Sequence, residues 1–274
     1  MYLAIDIGGT KTLLAVFTEH GKLVESIRFE TPKDYQAFIK QLSKSFLKLK
    51  NHSELVRCVV GAPGLVNRKT NTVVAFGNLS WENIPLGRDI KAICHLSTTV
   101  ENDANLAGLS EATLVKHGYR KVLYITISTG IGGVVIIDGA IDEDYADMEF
   151  GSMMFEHDGK LQKWEEFASG RAIVAKFGKR AGDIPAEDTA TWYEISRNIT
   201  LGLSGVIANL TPEVIIIGGG VGTNFDKFAD RLHEELMIFG SKLTSVPPLR
   251  KAVRTEEAVI YGCYELAHQL EHKK

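Results

Sequence analysis

The feature that most constrains the fold of this chain is a strand, glycine turn, strand pattern that occurs near residue 8 and again near residue 130. In each copy an apolar run leads through two or three glycines into a second apolar run, over residues 2–17 and residues 122–137. A third run, Leu23–Glu30, follows the first copy. Apolar strands joined by tight glycine turns predict antiparallel hairpins, the first of which extends into a meander. The repeat predicts two related halves.

Helical periodicity between these strands shows that the chain mixes both kinds of element. Apolar residues recur at helical spacing in some segments, whereas other short β-branched runs have the pattern of buried strands. The helical segments are residues 34–49, 104–116, 195–210, 225–239 and 259–270, and the further strands are residues 56–60, 98–101 and 214–217. We therefore expect an α/β protein with hinges near Asp103 and Thr255. The expected domains are residues 1–103, completed by a C-terminal helix at 256–274, and residues 104–255.

Composition excludes several classes of protein. The chain has 274 residues, of which 45% are hydrophobic and 24% charged, the mixture of an ordinary globular protein. Its net charge of −3 provides no basic field for a nucleic-acid backbone, so we expect no nucleic-acid partner. No apolar run approaches the ~18 residues that span a bilayer, and the chain opens directly on a strand. We therefore expect no membrane association and a cytoplasmic location.

The three cysteines, Cys58, Cys94 and Cys263, are odd in number and far apart in the sequence. They match neither a disulfide framework nor the spacing of a metal site. We expect them to be small buried side chains in a reducing compartment.

The first glycine turn, Asp6-Ile7-Gly8-Gly9-Thr10-Lys11-Thr12, has the composition of a phosphate-binding loop. Two glycines let the backbone approach an anion and present its N–H groups. The threonines and Lys11 add hydroxyl and cationic donors. An acid beside a phosphate repels it unless a cation intervenes, so Asp6 indicates that Mg²⁺ is held nearby. The alternative is an ordinary Gly-Gly hairpin.

The second turn, Ser128-Thr129-Gly130-Ile131-Gly132-Gly133, repeats this chemistry. Neither turn follows the G-x-x-x-x-G-K-[ST] pattern of a P-loop, and residues 218–223 lack the third glycine of the dinucleotide pattern because Thr223 replaces it. Two such turns in matching positions predict a nucleotide held between the two hairpins, with the glycines at 218–220 against its base. Each turn alone is equally consistent with a plain hairpin.

The segment Glu101-Asn102-Asp103-Ala104-Asn105 lies where a predicted strand ends and a predicted helix begins. A carboxylate here can accept a proton from an attacking hydroxyl, while Asn102 orients the substrate. An Asp at the start of a helix also serves as a plain N-cap. The geometry of Asp103 decides between the two interpretations.

Taken in order, the segments D-x-G-G-T-K-T, G-A-P-G, N-D-A-N, T-G-I-G-G and a late G-G-G resemble those of the ROK family, named for repressor, open reading frame and kinase. The resemblance covers almost the whole chain. It implies the actin-like, ribonuclease-H-like ATPase fold, with two similar α/β domains around a central cleft. It also implies phosphorylation of a hexose by ATP with Mg²⁺, usually at the 6-hydroxyl, and a homodimer.

The resemblance and the reasoning above assign a role to each candidate residue, with Asp103 as the catalytic base. The expected phosphate- and nucleotide-binding residues are Asp6, Gly8, Gly9, Thr10, Lys11, Thr12, Thr129, Gly130, Gly132, Gly219 and Gly220. The expected sugar-binding residues are Gly64, Asn78, Asn102, Asp103, Glu149 and Glu165. Trp81 resembles a pocket residue of the family, but we expect it to pack rather than to stack on a sugar, because large aromatic side chains usually contribute buried area.

The chain departs from the family pattern in one region. The family's E-x-G-H segment is replaced by Glu149-Phe150-Gly151-Ser152, and its three-cysteine zinc motif by a segment that contains none. Losing all four ligands together predicts that the chain binds no zinc. We expect His157 to be a loop histidine, and Ser152 to remove one sugar contact. Glu165 matches a sugar-contacting position, although an acid in the first turn of a helix can also be a solvated charge.

These inferences converge on a Mg·ATP-dependent hexose kinase, with glucose as the first candidate acceptor. N-acetylglucosamine, N-acetylmannosamine, fructose and β-glucosides are alternative acceptors. A sugar-responsive repressor would need an N-terminal helix-turn-helix, whereas the first strand here starts at residue 2. A catalytically silent sugar-binding protein is the remaining alternative.

Overall fold

The computed structural model describes residues 1–77, 79–239 and 245–272. Its strands, numbered in chain order, are β1 (Tyr2–Ile7), β2 (Lys11–Phe17), β3 (Leu23–Glu30), β4 (Arg57–Ala62), β5 (Gly64–Asn67), β6 (Thr72–Phe76), β7 (Glu82–Ile84), β8 (Ser97–Asn102), β9 (Lys121–Ile127), β10 (Ile131–Ile137), β11 (Ala140–Ile141), β12 (Met154–His157), β13 (Lys160–Lys163), β14 (Val214–Gly218) and β15 (Leu249–Lys251). Its α-helices are α1 (Tyr35–Phe46), α2 (Leu86–Cys94), α3 (Asp103–Val115), α4 (Trp164–Ala168), α5 (Gly170–Phe177), α6 (Thr189–Leu210), α7 (Gly219–Gly222), α8 (Ala229–Phe239) and α9 (Ala258–His272).

The chain divides into two compact units, which we describe separately. Unit 1 comprises Met1–Ser110 and Glu256–Lys274, and unit 2 comprises Glu111–Thr255. The sheet of unit 1 has the strand order β3-β2-β1-β4-β8, in which β1 is antiparallel to β2 and parallel to β4. Helix α9 packs on β1 and β4, where Gly262 lies so close to the backbone of Leu106 that a Cβ would be 1.9 Å from its carbonyl oxygen.

Unit 2 repeats the arrangement of the first sheet. Its strand order is β11-β10-β9-β14-β15, in which β9 is antiparallel to β10 and parallel to β14. Both predicted hairpins are confirmed, since Ile7 pairs with Thr12 across the first turn and Ile127 with Ile131 across the second. The core of unit 2 forms between this sheet and the long helix α6, whose Ile199 and Leu203 are fully buried.

Several elements were not predicted from the sequence, and all of them are short. Unit 1 contains a separate sheet of order β5-β6-β7, followed by α2. Unit 2 contains the hairpin β12–β13 and the helices α4 and α5. A strand of three or four residues is too short to show a clear hydrophobic period, and its pairing depends on residues distant in the sequence. The predicted helix 225–239 is a 3-10 turn, Phe225–Lys227, followed by α8.

The predicted burial of the cysteines is confirmed, because Cys58, Cys94 and Cys263 are all buried with free thiols. Within the described parts of the chain, no helix combines the length and the apolar composition needed to cross a membrane.

Candidate functional site

In unit 1 the first glycine turn is held on its buried side by two hydrogen-bonded hydroxyl groups, those of Thr31 and Thr12. The Gly8 N–H donates to the Lys11 carbonyl at 2.9 Å, and the Thr31 hydroxyl donates to the Gly8 carbonyl at 2.8 Å. Because that bond uses the only proton of Thr31, the Thr12 hydroxyl donates to Thr31 across their 2.9 Å contact. Thr12 is fully buried. We expected Thr12 at the phosphate, but its position beneath the turn makes it a brace.

The outer side of the same turn is open to solvent. Thr10 and Lys11 are exposed, and Gly8 and Gly9 are half-buried. A Cβ on Gly8 would lie 2.8 Å from the Lys11 carbonyl oxygen, so the tight turn requires glycine there. The Lys33 ammonium donates to the Gly9 carbonyl at 3.0 Å, which neutralises one of the turn's acceptors. The turn therefore presents a lysine and a threonine hydroxyl to solvent, two donors that suit an anion site.

Two carboxylates of unit 1 interact electrostatically near the end of β1. Asp6 is at the end of β1, and Asp103 is the first residue of α3. Burial raises the pKa of Asp6 to about 7, and the negative charge of Asp103 adds to this effect, whereas Arg28 lowers it. The mutual repulsion shows that the two carboxylates share one region of unit 1.

The start of α3 is capped by Asn102, not by Asp103. The Asn102 side-chain oxygen accepts the N–H groups of Ala104 at 2.8 Å and Asn105 at 3.2 Å. Its amide nitrogen donates to the Gly64 carbonyl at 2.9 Å, which ties the helix start to β5. Since Asn102 satisfies the N2 and N3 donors, the N-cap interpretation of Asp103 is wrong. The Asp103 carboxylate accepts the neighbouring Ala104 N–H at 2.8 Å.

The residue before this cap carries an ion pair that sequence reasoning missed. Glu101 is 4% exposed, and its two carboxylate oxygens accept the Arg68 Nε and Nη2 groups at 2.8 and 2.6 Å. The same carboxylate accepts the Asn102 N–H at 2.8 Å and the Asn105 amide at 2.9 Å. Arg68 follows β5, so this pair and the Asn102–Gly64 bond attach the small sheet to the start of α3. No local sequence pattern predicts that Glu101 pairs with an arginine 33 residues away.

Gly64 and Trp81, the other candidate residues of unit 1 that the structure describes, lie on or next to the small sheet. Gly64 adopts φ +150°, and a Cβ there would be 2.0 Å from the Ala75 carbonyl oxygen, so only glycine fits. Asn78 lies outside the described residues. Trp81 is 4% exposed, its ring contacts Phe38 at 4.9 Å, and its indole N–H donates to the Lys33 carbonyl at 2.7 Å. The expectation that Trp81 packs is confirmed.

In unit 2 the second glycine turn surrounds the carboxylate of Glu165, the second residue of α4. A Cβ on Gly130 would be 2.6 Å from the Glu165 Oε2 atom, and one on Gly151 would be 3.1 Å from it. The Ile131 N–H points to the same oxygen at 3.4 Å. The turn thus leaves room for one carboxylate, and the structure brings Gly130 and Glu165 together as predicted site residues.

Glu149 lies near this carboxylate. Removal of water raises the pKa of Glu149, and the charges of Glu165 and Asp147 raise it further, whereas Lys163 lowers it. Ser152, at the end of the 3-10 turn Phe150–Ser152, is exposed. Two acids and an exposed hydroxyl form a patch with the acceptors that sugar hydroxyls need.

The third glycine segment lines a cavity of about 820 Å³ in unit 2. Its walls include the predicted residues Thr129 and Gly220, together with Arg171, Arg180 and Asn224, which were not predicted. This volume lies in the range of small-ligand sites. The N-terminus of α5 lies at the cavity, and this helix begins with Gly170 and Arg171. The run of three glycines was the only local signal, because the arginines come from a helix and a loop without a recognisable motif.

Gly219 of this segment and Gly132 of the second turn are not in the cavity wall. Gly219 has φ +79°, and a Cβ there would be 2.5 Å from the Ile127 carbonyl oxygen. Gly219 therefore permits the close approach of α7 to β9. Gly132 lies within β10, opposite Thr126.

His157 is not a loop histidine, contrary to our expectation. It ends β12 and its ring stacks on Phe167 with centroids 4.2 Å apart and planes 7° apart. Its Nε2 atom is 3.2 Å from the side-chain oxygen of Asn198. Among the described residues, no group of three or more His, Cys, Asp or Glu side chains is placed to hold a metal ion.

The sequence and the fold of this chain are similar to those of known proteins. Residues 2–270 match the sequence profile of the ROK family. The chain belongs to the ROK family. The mixed α/β architecture is that of solved ROK sugar kinases with the actin-like ATPase fold, which confirms the expected fold class.

Two curated members of the ROK family illustrate the range of relatives. A glucokinase of Streptomyces coelicolor is 27% identical over 97% of both chains. An N-acetyl-D-glucosamine kinase of Haemophilus influenzae is 26% identical over 97% of this chain and 99% of its own. Among solved structures, a ROK family glucokinase from Streptomyces griseus in complex with glucose and AMPPNP has a TM-score of 0.80 at 24% identity, over 98% of this chain and 99% of that one.

Proposed function

We propose that this ROK-family protein is an ATP-dependent sugar kinase that transfers a phosphoryl group to the 6-hydroxyl of a hexose, with glucose as the first candidate. The relatives at 26–27% identity act on glucose and on N-acetylglucosamine by their names, which supports a sugar kinase and leaves the acceptor to experiment. N-acetylhexosamines, fructose and β-glucosides are the alternative acceptors.

One observation supports this proposal: Asn102 caps α3, and the charge of Asp103 acts on Asp6, which directly precedes the braced glycine turn. In this proposal Asp103 accepts the proton of the attacking hydroxyl as general base. A structural N-cap would not need a second acid nearby, whereas phosphoryl transfer depends on a base together with a phosphate-binding turn.

The first turn would hold phosphate oxygens through the exposed Lys11 and Thr10 side chains and through backbone N–H groups after Gly8, whose own N–H donates to the Lys11 carbonyl. Asp6 and Asp103 are hard oxygen donors that raise each other's negative potential, and this donor set suits Mg²⁺. We propose that Asp6 holds Mg²⁺ that arrives with ATP. Mg²⁺ neutralises charge on the phosphoryl oxygens when bound.

We propose that the cavity of unit 2 accepts the nucleoside of ATP, with Gly220 and Asn224 in its wall. Its volume and its apolar and polar lining support a nucleotide base and ribose. Thr129 lies in the same wall, at the start of the second glycine turn. The Glu165 and Glu149 carboxylates would accept hydrogen bonds from sugar hydroxyls, since a carboxylate can accept from two adjacent hydroxyls.

The test is ADP release from Mg·ATP with a panel of hexoses, N-acetylhexosamines and β-glucosides. We expect one sugar to stimulate ADP release strongly and its 6-deoxy analogue not to act as an acceptor. Asp103→Asn should lower kcat by ~10²–10⁴-fold and leave sugar binding measurable by calorimetry.

The matched control is Asp230→Asn, since Asp230 is also an acid in the first turn of a helix, α8. This control should keep wild-type turnover. Asp103→Asn with near wild-type turnover would remove Asp103 from the role of base. Sugar binding without stimulated ADP release in the wild-type protein would instead support a catalytically silent sugar-binding protein.

A further inference from the structure

We propose that His157 positions the sugar-binding carboxylate Glu165 by fixing the short helix α4. The inference rests on the proposed function, because it concerns the same sugar site. Helix α4 has only five residues, Trp164–Ala168, so it cannot hold its own orientation without tertiary contacts.

The first contact of α4 is made by Trp164, next to Glu165 in the sequence. Its side chain is completely buried. The indole lies over α6 at Gly202, where a Cβ would be 2.2 Å from the ring. The indole N–H donates to the Asn198 carbonyl at 3.0 Å. The N-terminal end of α4 is therefore attached to α6 by one ring and one hydrogen bond.

The second contact is made by Phe167, two residues after Glu165. Its carbonyl accepts the side-chain amide of Asn198 at 3.2 Å, and its ring is covered by the imidazole of His157. Since the Asn198 nitrogen is used by Phe167, its side-chain oxygen faces His157 and accepts from it. The His157 ring must then carry its proton on Nε2.

The other ring nitrogen makes no hydrogen bond that competes with this contact. The His157 Nδ1 atom is buried without a hydrogen-bond partner, 3.6 Å from the exposed carboxylate of Asp158. Within the described residues, the His157 ring therefore contacts α6 through its hydrogen bond to Asn198 and α4 through its stack on Phe167. His157 attaches the hairpin β12–β13 directly to Phe167 and to Asn198, the residue whose carbonyl accepts from Trp164.

The carboxylate of Glu165 has little freedom to tolerate a shift of α4. Its Oε2 atom lies where side chains on Gly130 and Gly151 would collide with it. A displacement of the helix would move this oxygen relative to the second glycine turn and to a bound sugar. His157 is thus a positioning residue that acts through Glu165.

The experiment compares His157→Ala with two variants that each keep one contact. His157→Phe keeps a ring on Phe167 and loses the hydrogen bond, whereas His157→Gln keeps a donor for Asn198 and loses the stack. The control is His233→Ala, an exposed histidine of α8 in the same unit. Two readouts are measured, amide hydrogen exchange of residues 164–168 and the steady-state constants for sugar and ATP.

We expect His157→Ala to speed exchange in α4 and to raise the KM for sugar, each by roughly tenfold. The KM for ATP and kcat should stay within about twofold, because the lost interaction serves ground state and transition state alike. The single-contact variants should fall between wild type and His157→Ala. The double variant His157→Ala with Glu165→Gln should have the sugar KM of Glu165→Gln alone, since His157 acts through that carboxylate.

Two results would overturn the proposal: exchange in α4 equal to that of His233→Ala, or a sugar KM that rises equally in the presence and absence of the Glu165 carboxylate. If the wild-type protein shows no sugar-stimulated turnover, the proposed function fails. The exchange readout still tests the positioning of α4 in that case, so the two failures are distinguishable.

Discussion

Replacing Arg68 by alanine tests whether the ion pair with Glu101 holds the small sheet of unit 1 to the start of α3. The guanidinium makes two bonds, at 2.8 and 2.6 Å, to a carboxylate that is 4% exposed. Removing one partner of a buried ion pair costs about 3–5 kcal/mol because the other charge is left buried. The Arg68 side chain is 26% exposed, so water partly screens the pair, and we expect a loss of about 2–4 kcal/mol.

Urea unfolding of Arg68→Ala measures this loss, with Arg88→Ala as the control. Arg88 also pairs with an acid, Asp89 at 3.0 Å, but its side chain is 75% exposed. Exposed pairs contribute about 0–1 kcal/mol, so the control should be close to wild type. Adding Glu101→Gln to Arg68→Ala should recover part of the loss, because a neutral amide does not require the guanidinium.

The single variant Arg68→Ala should also lower kcat. Glu101, the partner of Arg68, accepts the backbone N–H of Asn102, and Asn102 caps α3 directly before Asp103. A free energy of unfolding within ~0.5 kcal/mol of Arg88→Ala would refute the argument that this pair is a buried clamp. Wild-type kcat combined with a large loss of stability would restrict the pair to a structural role.

Two substitutions and one metal-removal experiment give the remaining predictions. Gly202→Ala would place a Cβ 2.2 Å from the Trp164 indole. This variant should lower the free energy of unfolding in urea by ~1–3 kcal/mol and raise the sugar KM. The control Gly205→Ala has open space around its Cβ and should not lower the free energy of unfolding. Burial raises the pKa of Glu111, whereas the N–H groups of Val253 and Arg254 lower it. The contribution of Glu111 to stability is therefore present below about pH 4.5 and is lost as pH rises through the folded-state pKa. The free energy of unfolding of Glu111→Gln should rise relative to that of wild type between pH 4 and pH 7.5, and a difference that stays constant with pH would contradict this sign. Chelation with EDTA should abolish ADP release, Mg²⁺ alone should restore it, and elemental analysis of the purified protein should find no stoichiometric zinc.

Much of the backbone was predictable because its signals are local. The glycine turns at 8–9 and 130–133, the strands around them and the long amphipathic helices follow from runs and periods within about twenty residues. The repeat of hairpin and parallel strand in both units was predictable for the same reason. The short elements between residues 64 and 94 and between residues 154 and 177 were not, since each has too few residues to carry a period of its own.

The same difference between local and long-range signals applies to the residues of the candidate site. Asp103 and Gly130 could be named from residue types at strand and helix ends, whereas Glu165 was named from the resemblance to the ROK family. Their partners could not be named. Arg68 reaches Glu101 across 33 residues, and Asn198 reaches Phe167 across 31.

The sequence by itself therefore determined where backbone N–H groups and carboxylates are available, since these depend on local turns and residue type. Only the tertiary structure decided that Thr12 bonds Thr31 beneath the first turn, that Asn102 bonds the Gly64 carbonyl, and that His157 covers Phe167. The physical reason is that burial and hydrogen-bond partnership are properties of pairs, and most of these pairs form between residues that are distant in the chain.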